Sequence, residues 1–167
     1  LRRQRQMCIR DSLNVLRPEP GSSIVVFGAG AVGLSAVMAA KVARCGTIIA
    51  VDMHPDRLRL AEELGATHTL QAGEPVAERI RELTDGGTEY AVDTTGVAAI
   101  FGDNVDALAP RGVLGVVGAA ALGTEASFDI GTNLPKGITI HTIVEGESIP
   151  QVFIPRLMAL HLSLIHI

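Results

Sequence analysis

The segment Ser23-Ile24-Val25-Val26-Phe27-Gly28-Ala29-Gly30-Ala31-Val32-Gly33, followed by a second apolar run ending in Asp52, constrains this chain more than any other part of it. The run from Ile24 to Phe27 is apolar at every position. A strand with one wet face alternates, so a strand without alternation is buried on both faces, as inside a parallel sheet. Three glycines follow at the spacing Gly-x-Gly-x-x-Gly. In a chain with 18 glycines that spacing arises easily, so its meaning rests on its flanks. Here a strand precedes it and a helix follows, because Ala31 to Arg44 is rich in Ala, Leu, Met, Lys and Val, with Cys45-Gly46 as a stop. Gly28 permits a tight turn, Gly30 lets the backbone approach a pyrophosphate, and Gly33 lets the helix pack against the strand. The amides and dipole at the start of that helix would face the phosphates of a dinucleotide.

The second run, Thr47-Ile48-Ile49-Ala50-Val51-Asp52, places a carboxylate where an adenosine ribose lies in such an arrangement. Asp52 would accept hydrogen bonds from both ribose hydroxyls and repel a 2′-phosphate, which favours NAD over NADP. The plainer alternative is that Asp52 caps the helix starting at Pro55 or sits in a turn.

Beyond Asp52 the chain alternates between helical and strand patterns. Helices are expected over Pro55–Leu64 with Gly65 as a stop, over about Glu74–Leu83, over Val97–Leu108 and from about Pro150. Strands are expected near Thr67–Leu70, Tyr90–Asp93, Val113–Val117 and Ile138–Ile143, with Ala109-Pro110-Arg111-Gly112 read as a turn. Leu13 to Leu16 reads as a helix end and Arg17 to Gly21 as a turn. The pattern predicts an α/β fold, a doubly wound parallel six-stranded sheet of the Rossmann type with strand order 3-2-1-4-5-6. Gly28 to Gly33, Asp52, Thr94 to Val97 and Gly118 to Ala120 then share the carboxyl edge, where ligands bind in such sheets. Small residues in the last two loops leave room for a flat nicotinamide ring, although each loop taken singly also reads as an ordinary turn.

Size and composition agree with this. A chain of 167 residues is enough for one domain, and 47% hydrophobic residues with only 3% aromatics suits the Val, Ile, Ala and Gly of a parallel core. Each apolar stretch is interrupted by Gly, Asp, Arg or Pro short of a membrane span, and two cysteines, Cys8 and Cys45, form no C-x-x-C signature. A cytoplasmic location is the expectation. The termini read differently. Met7-Cys8-Ile9-Arg10-Asp11-Ser12 can be encoded by ATGTGTATAAGAGACAG and Leu162-Ser163-Leu164-Ile165-His166-Ile167 by CTGTCTCTTATACACAT, which are reverse complements and resemble a transposon sequencing-library adapter. Residues 1–12 and 162–167 are therefore expected to be adapter read-through, leaving 13–161 as the domain. Without the arginines of the first twelve residues the remainder is more acidic than the formal −4, and a nucleic-acid partner is not expected.

With these loops in place, the chain resembles the cofactor domain of the zinc-dependent, medium-chain alcohol dehydrogenases. The resemblance runs from Arg17-Pro18-Glu19-Pro20-Gly21 through the glycine turn, Ala50-Val51-Asp52, Arg57-Leu58, Leu64-Gly65-Ala66-Thr67, Asp93-Thr94-Thr95-Gly96 and Gly112 to Gly118. The closing Val144 to Pro150 and Phe153 to Leu157 look most like the aryl- or benzyl-alcohol branch. The resemblance implies that Gly28, Gly30, Ala31, Val32 and Gly33 hold the pyrophosphate of NAD and that Asp52 holds the adenosine ribose. Arg57 matches a basic position beside that ribose, though it also reads as a solvated helix charge. Thr95, Gly96, Gly118 and Ala119 match positions beside the nicotinamide and its ribose, and Glu145 matches a loop near the carboxamide. It also implies pairing of two subunits through the strand near Ile138 to Ile143, and an alcohol or aldehyde substrate for the parent enzyme.

The family's catalytic zinc is held by Cys, His and acidic ligands from outside the cofactor domain. His54, His68, His141 and His161 are scattered without metal-ligand spacing and read as surface or core histidines. Zinc and the catalytic residues are thus expected in the full-length parent only, as for an incomplete enzyme, and the chain alone is expected to be inactive. Two rivals are a non-catalytic NAD-sensing domain and a zinc-free quinone reductase of the same superfamily. The first has no need of small residues around a nicotinamide, and the usual NADP preference of the second suits Asp52 poorly.

Overall fold

In the computed structural model, which describes residues 15–73 and 75–144 together with 151, 155, 158 and 159, the residues Ile24 to Phe27 of strand β1 (Ser23–Phe27) are at most 1% exposed. Ile24 and Val26 belong to one hydrophobic cluster, Val25 and Phe27 to another, which is why the run needs no polar positions. Strand β2 (Thr47–Asp52) divides in the same way, with Ile48 and Ala50 in the first cluster and Ile49 and Val51 in the second. Helices α1 (Ala31–Val42) and α2 (Pro55–Leu64) close the first cluster through Ala36, Val37, Ala40, Leu58 and Ala61. Helices α3 (Val76–Thr84) and α4 (Phe101–Asp106) close the second through Val76, Ala77, Ile80 and Val105. Each fully buried Val, Ile or Phe contributes about 1.5–3 kcal/mol. Truncating Phe27 to Ala would cost about 3–5 kcal/mol by adding a cavity to the lost burial.

The sheet has six strands in the order β3-β2-β1-β4-β5-β6, all parallel, with β3 (His68–Gln71), β4 (Thr88–Asp93), β5 (Leu108–Val116) and β6 (Thr139–Thr142). This is the expected order. The direction of winding reverses between β1 and β4, and the loops at their carboxyl ends border the resulting crevice.

Several boundaries differ from the sequence reading. Helix α1 ends at Val42 rather than Arg44, and the left-handed residue after it is Arg44 itself, with φ 63°, rather than Gly46. Helix α2 matches its expected span, between Pro55 at its first turn and Gly65 at its end. The expected helix Val97–Leu108 is a 3-10 turn, Ala98–Ile100, followed by the short α4, and Leu108 opens β5 instead. Ala109 to Gly112 is accordingly no turn between elements. It lies inside β5, where the register against β4 shifts between Thr88 and Tyr90 and Arg111 takes φ 64°. The cause lies on the neighbouring strand: Thr88 donates to the Ala107 carbonyl, and Gly87 lies so near Leu108 and Ala109 that a Cβ there would meet backbone at 2.6 Å. A further short helix, α5 (Ile130–Asn133), has Asp129 as its cap and was not expected. The expected termini and most of the helix from Pro150 lie outside the described residues.

Candidate functional site

The glycine turn is fixed from three sides. Gly28 takes φ 90° and donates its amide to Val51 O at 2.8 Å, which ties the turn to β2. The Thr94 hydroxyl, at the end of β4, lies 2.9 Å from Phe27 O and 3.1 Å from Gly28 O, and the Thr94 amide donates to Phe27 O at 3.0 Å. Gly33 sits against the turn so tightly that a Cβ would lie 1.7 Å from Gly28 O. Only hydrogen fits there, the helix–strand contact expected for the third glycine.

Gly30 is different. A Cβ on it would meet nothing within 4 Å, and its φ of −74° is one any residue adopts. Neither packing nor backbone conformation accounts for a glycine at this position. It is the N-cap of α1, without a side-chain cap, so the helix start presents amides beside open space, with Ala31 exposed and Val32 half-buried. That combination suits an anion that needs close access to backbone.

Asp52 stands beside this turn and is only 7% exposed. One carboxylate oxygen accepts the Ala29 amide at 2.7 Å, and the other accepts the His54 amide at 2.8 Å. The second bond closes an Asx turn, and Asp52 does not cap α2, whose N-cap is His54. Arg57, half-exposed on α2, reaches within 3.5 Å of the same oxygen that Ala29 uses. Burial works against the charged form of Asp52, but the amides of His54 and Ala29 and the nearby Arg57 outweigh it and hold the carboxyl below its ordinary value. Two carboxylate oxygens offer about four acceptor sites, so capacity remains for ribose hydroxyls.

Beside the turn, Thr95 and Gly96 follow β4, with the Thr95 methyl 2.9 Å from where a Cβ on Gly28 would lie, and Gly118 and Ala119 follow β5. The two loops touch through backbone: a Cβ on Gly118 would lie 2.1 Å from Gly96 N, and one on Gly96 would lie 2.7 Å from Ala119 O. Gly96 also has φ 66°. The structure thus brings the glycine turn, Asp52 and Arg57 together, gathers Thr95, Gly96, Gly118 and Ala119 around the Gly96–Gly118 contact, and joins the two groups where Thr95 meets Gly28. Glu145 lies outside the described residues. The sequence places Thr94 only within the loop that leaves room for a nicotinamide and gives Asp93 no role. Thr94 bridges the two halves as described, and Asp93, 2% exposed, accepts from both the amide and the hydroxyl of Thr95. An acid ending a buried strand just ahead of Thr-Thr-Gly was the available signal.

Among the described residues, no group of three or more His, Cys, Asp or Glu side chains is placed to hold a metal ion. His54 and His141 are exposed, His68 lies on the surface with Nδ1 2.9 Å from the Thr67 hydroxyl, and His161 lies outside the described residues.

The family described as "Zinc-binding dehydrogenase" matches residues 31–161 of the chain. The chain is 35% identical over 153 residues to a protein named geraniol dehydrogenase from Castellaniella defragrans, an alignment covering 90% of this chain and 41% of that protein. The crystal structure of an alcohol dehydrogenase zinc-binding domain protein from Burkholderia ambifaria superimposes with a TM-score of 0.91 at 52% identity, covering 95% of this chain and 43% of the other. The crystal structure of benzyl alcohol dehydrogenase from Acinetobacter calcoaceticus gives 0.90 at 45% identity, over 95% and 44%. The chain therefore spans less than half the length of each of these proteins.

Proposed function

Because the chain belongs to the zinc-binding dehydrogenase family, we propose that it is the NAD-holding domain of an alcohol dehydrogenase whose substrate is a primary, aromatic alcohol or the matching aldehyde. The single observation that carries the cofactor assignment is Gly30, an open, uncapped helix start with Asp52 beside it. The aromatic substrate is supported by the 45% identity to benzyl alcohol dehydrogenase, although geraniol dehydrogenase shows that non-aromatic alcohols occur among relatives.

When bound, NAD supplies the hydride acceptor. The chain's residues supply its position. The amides of Ala31, Val32 and Gly33 would receive the diphosphate across the space left by Gly30. Asp52 would accept the adenosine ribose hydroxyls while keeping its bonds to Ala29 and His54, and its charge would repel a 2′-phosphate. Thr95, Gly96, Gly118 and Ala119 would flank the nicotinamide half, where the backbone contact of Gly96 with Gly118 fixes the floor. Such fixing matters because small errors in the position of a reacting atom cost rate steeply. The described residues do not provide a zinc site, so no step assigned to this chain runs through zinc, whose ligands we assign to other parts of the parent protein.

Among the described residues no strand pairs with the outer edge of β6, whose Thr139, Ile140, His141 and Thr142 are all exposed. An open edge that pairs with its own copy is covered, and we assign this edge to a homodimer contact. Among the described residues no helix is long and apolar enough to cross a membrane.

The test is a titration of the purified chain with NADH, followed by an alcohol oxidation assay with NAD, benzyl alcohol and added zinc. Binding without turnover is expected. Zinc-stimulated oxidation by the chain alone would overturn the division of labour proposed here, and absence of NADH binding would overturn the cofactor assignment.

A further inference from the structure

Asp93 is buried at the carboxyl end of β4 and gathers four hydrogen bonds. Its Oδ1 accepts the Thr95 amide at 2.8 Å and the Thr95 hydroxyl at 2.7 Å. Its backbone carbonyl accepts the amides of Val117 at 2.8 Å and Gly118 at 3.0 Å. The Thr95 hydroxyl, having donated its proton to Asp93, accepts the Val97 amide at 3.1 Å, which extends the arrangement one more step along the loop. One residue therefore holds both loops that meet at Gly96 and Gly118, the loop after β4 through its side chain and the loop after β5 through its carbonyl.

We infer that Asp93 is a positioning residue for the nicotinamide half of the cofactor, acting through Thr95 and the Gly96–Gly118 contact without touching the ligand. The inference rests on the NAD assignment above. Two features separate this role from general support of the fold. The side chain spends both hydrogen bonds on a single residue of the site, Thr95, rather than on the core. The glycine turn is tied to β2 through Val51, and Asp52 is held by the amides of Ala29 and His54, bonds in which neither Asp93 nor Thr95 takes part. Loss of the Asp93 carboxylate should therefore loosen one half of the site and spare the other. The Asp93 carboxylate also commits the only hydroxyl proton of Thr95 to the protein, so the Thr95 side chain has no donor left for a bound cofactor.

The experiment compares two ligands on the full chain. NADH contains the nicotinamide, and ADP reports only on the adenosine diphosphate half. In Asp93→Ala, the dissociation constant for NADH should rise about tenfold or more, a loss of about 1.4 kcal/mol per factor of ten, while that for ADP stays within about twofold of wild type. Asp93→Asn keeps a carbonyl oxygen in place of Oδ1 and should return NADH binding to within about threefold of wild type. Thr95→Val removes only the hydroxyl links and leaves the buried carboxylate and the amide bond. It should show the same selective loss in smaller measure, which keeps the test sharp if Asp93→Ala fails to fold. Equal losses for NADH and ADP in folded variants, or no loss for either, would overturn the positioning role. A wild-type chain that binds ADP but discriminates against NADH would overturn it too, whereas one that binds neither ligand overturns the cofactor assignment itself and this inference with it.

Discussion

Asp52 accepts a hydrogen bond of 2.7 Å from the amide of Ala29, the residue between the first two glycines of the turn. The carboxylate proposed to read the adenosine ribose is thus also a strut of the glycine turn, and both roles draw on the same oxygens. Because its other oxygen accepts from His54, Asp52 acts as an acceptor on both sides. Asparagine accepts on only one, so Asp52→Asn would bring an amide NH2 against a backbone donor. A loss of about 1–3 kcal/mol is expected from one unmet, buried bond, measured as a lower urea midpoint with unchanged slope.

The same residue sets an acid dependence. Burial opposes its charge, but the His54 and Ala29 amides and Arg57 prevail and lower its pKa in the folded chain. A lowered folded value means that the contribution is complete above the unfolded value, about 3.9, and is lost as pH falls through the folded one. Urea midpoints of wild type and Asp52→Asn should therefore differ by a constant amount between about pH 5 and 7 and converge below about pH 4. A gap that widens on acidification would refute the assignment.

Gly30 and Gly33 should separate binding from folding. A Cβ at Gly33 would lie 1.7 Å from Gly28 O, so Gly33→Ala forces the helix off the turn and should cost about 3 kcal/mol or more. A Cβ at Gly30 meets nothing, so Gly30→Ala should leave stability within about 0.5 kcal/mol while weakening NADH binding about tenfold by occupying the phosphate's space. Thermal melts and NADH titrations on the two variants check both halves.

The edge of β6 gives a third kind of outcome. Ile140 is 37% exposed on a strand with no outer neighbour among the described residues. Sedimentation should find a dimer for the wild-type chain. Ile140→Lys should shift it toward monomer, since a charge on an edge opposes strand addition.

What the sequence made legible followed from where one signal acted alone. The buried runs of β1 and β2 admit no other reading, and Pro55 and Gly65 bracket α2 at both ends. The alternation of strands and helices likewise puts the glycine turn, Asp52 and the two loops on one edge. The misreadings came where tertiary contacts overrode local signals. Ala109-Pro110-Arg111-Gly112 looks like a turn, but Leu108 is fully buried and paired beside Thr88, so the segment is a bulge within β5. Helix α4 shortened for the same reason. Gly46, read only as a helix stop, serves a tertiary contact instead, since a Cβ on it would lie 2.8 Å from Gly21 O, and the left-handed residue after α1 is Arg44. The roles of Asp93 and Thr94 depend on hydrogen bonds between strands distant in sequence, such as Thr94 to Phe27, which no local pattern reveals.

The central claim, that the glycine turn and Asp52 together select NAD, is tested most directly by titrating wild type and Asp52→Ala with NADH and NADPH. Wild type should bind NADH about tenfold or more tightly than NADPH, and this preference should collapse in Asp52→Ala. Equal affinity of wild type for the two cofactors, or a preference that survives the substitution unchanged, would contradict it.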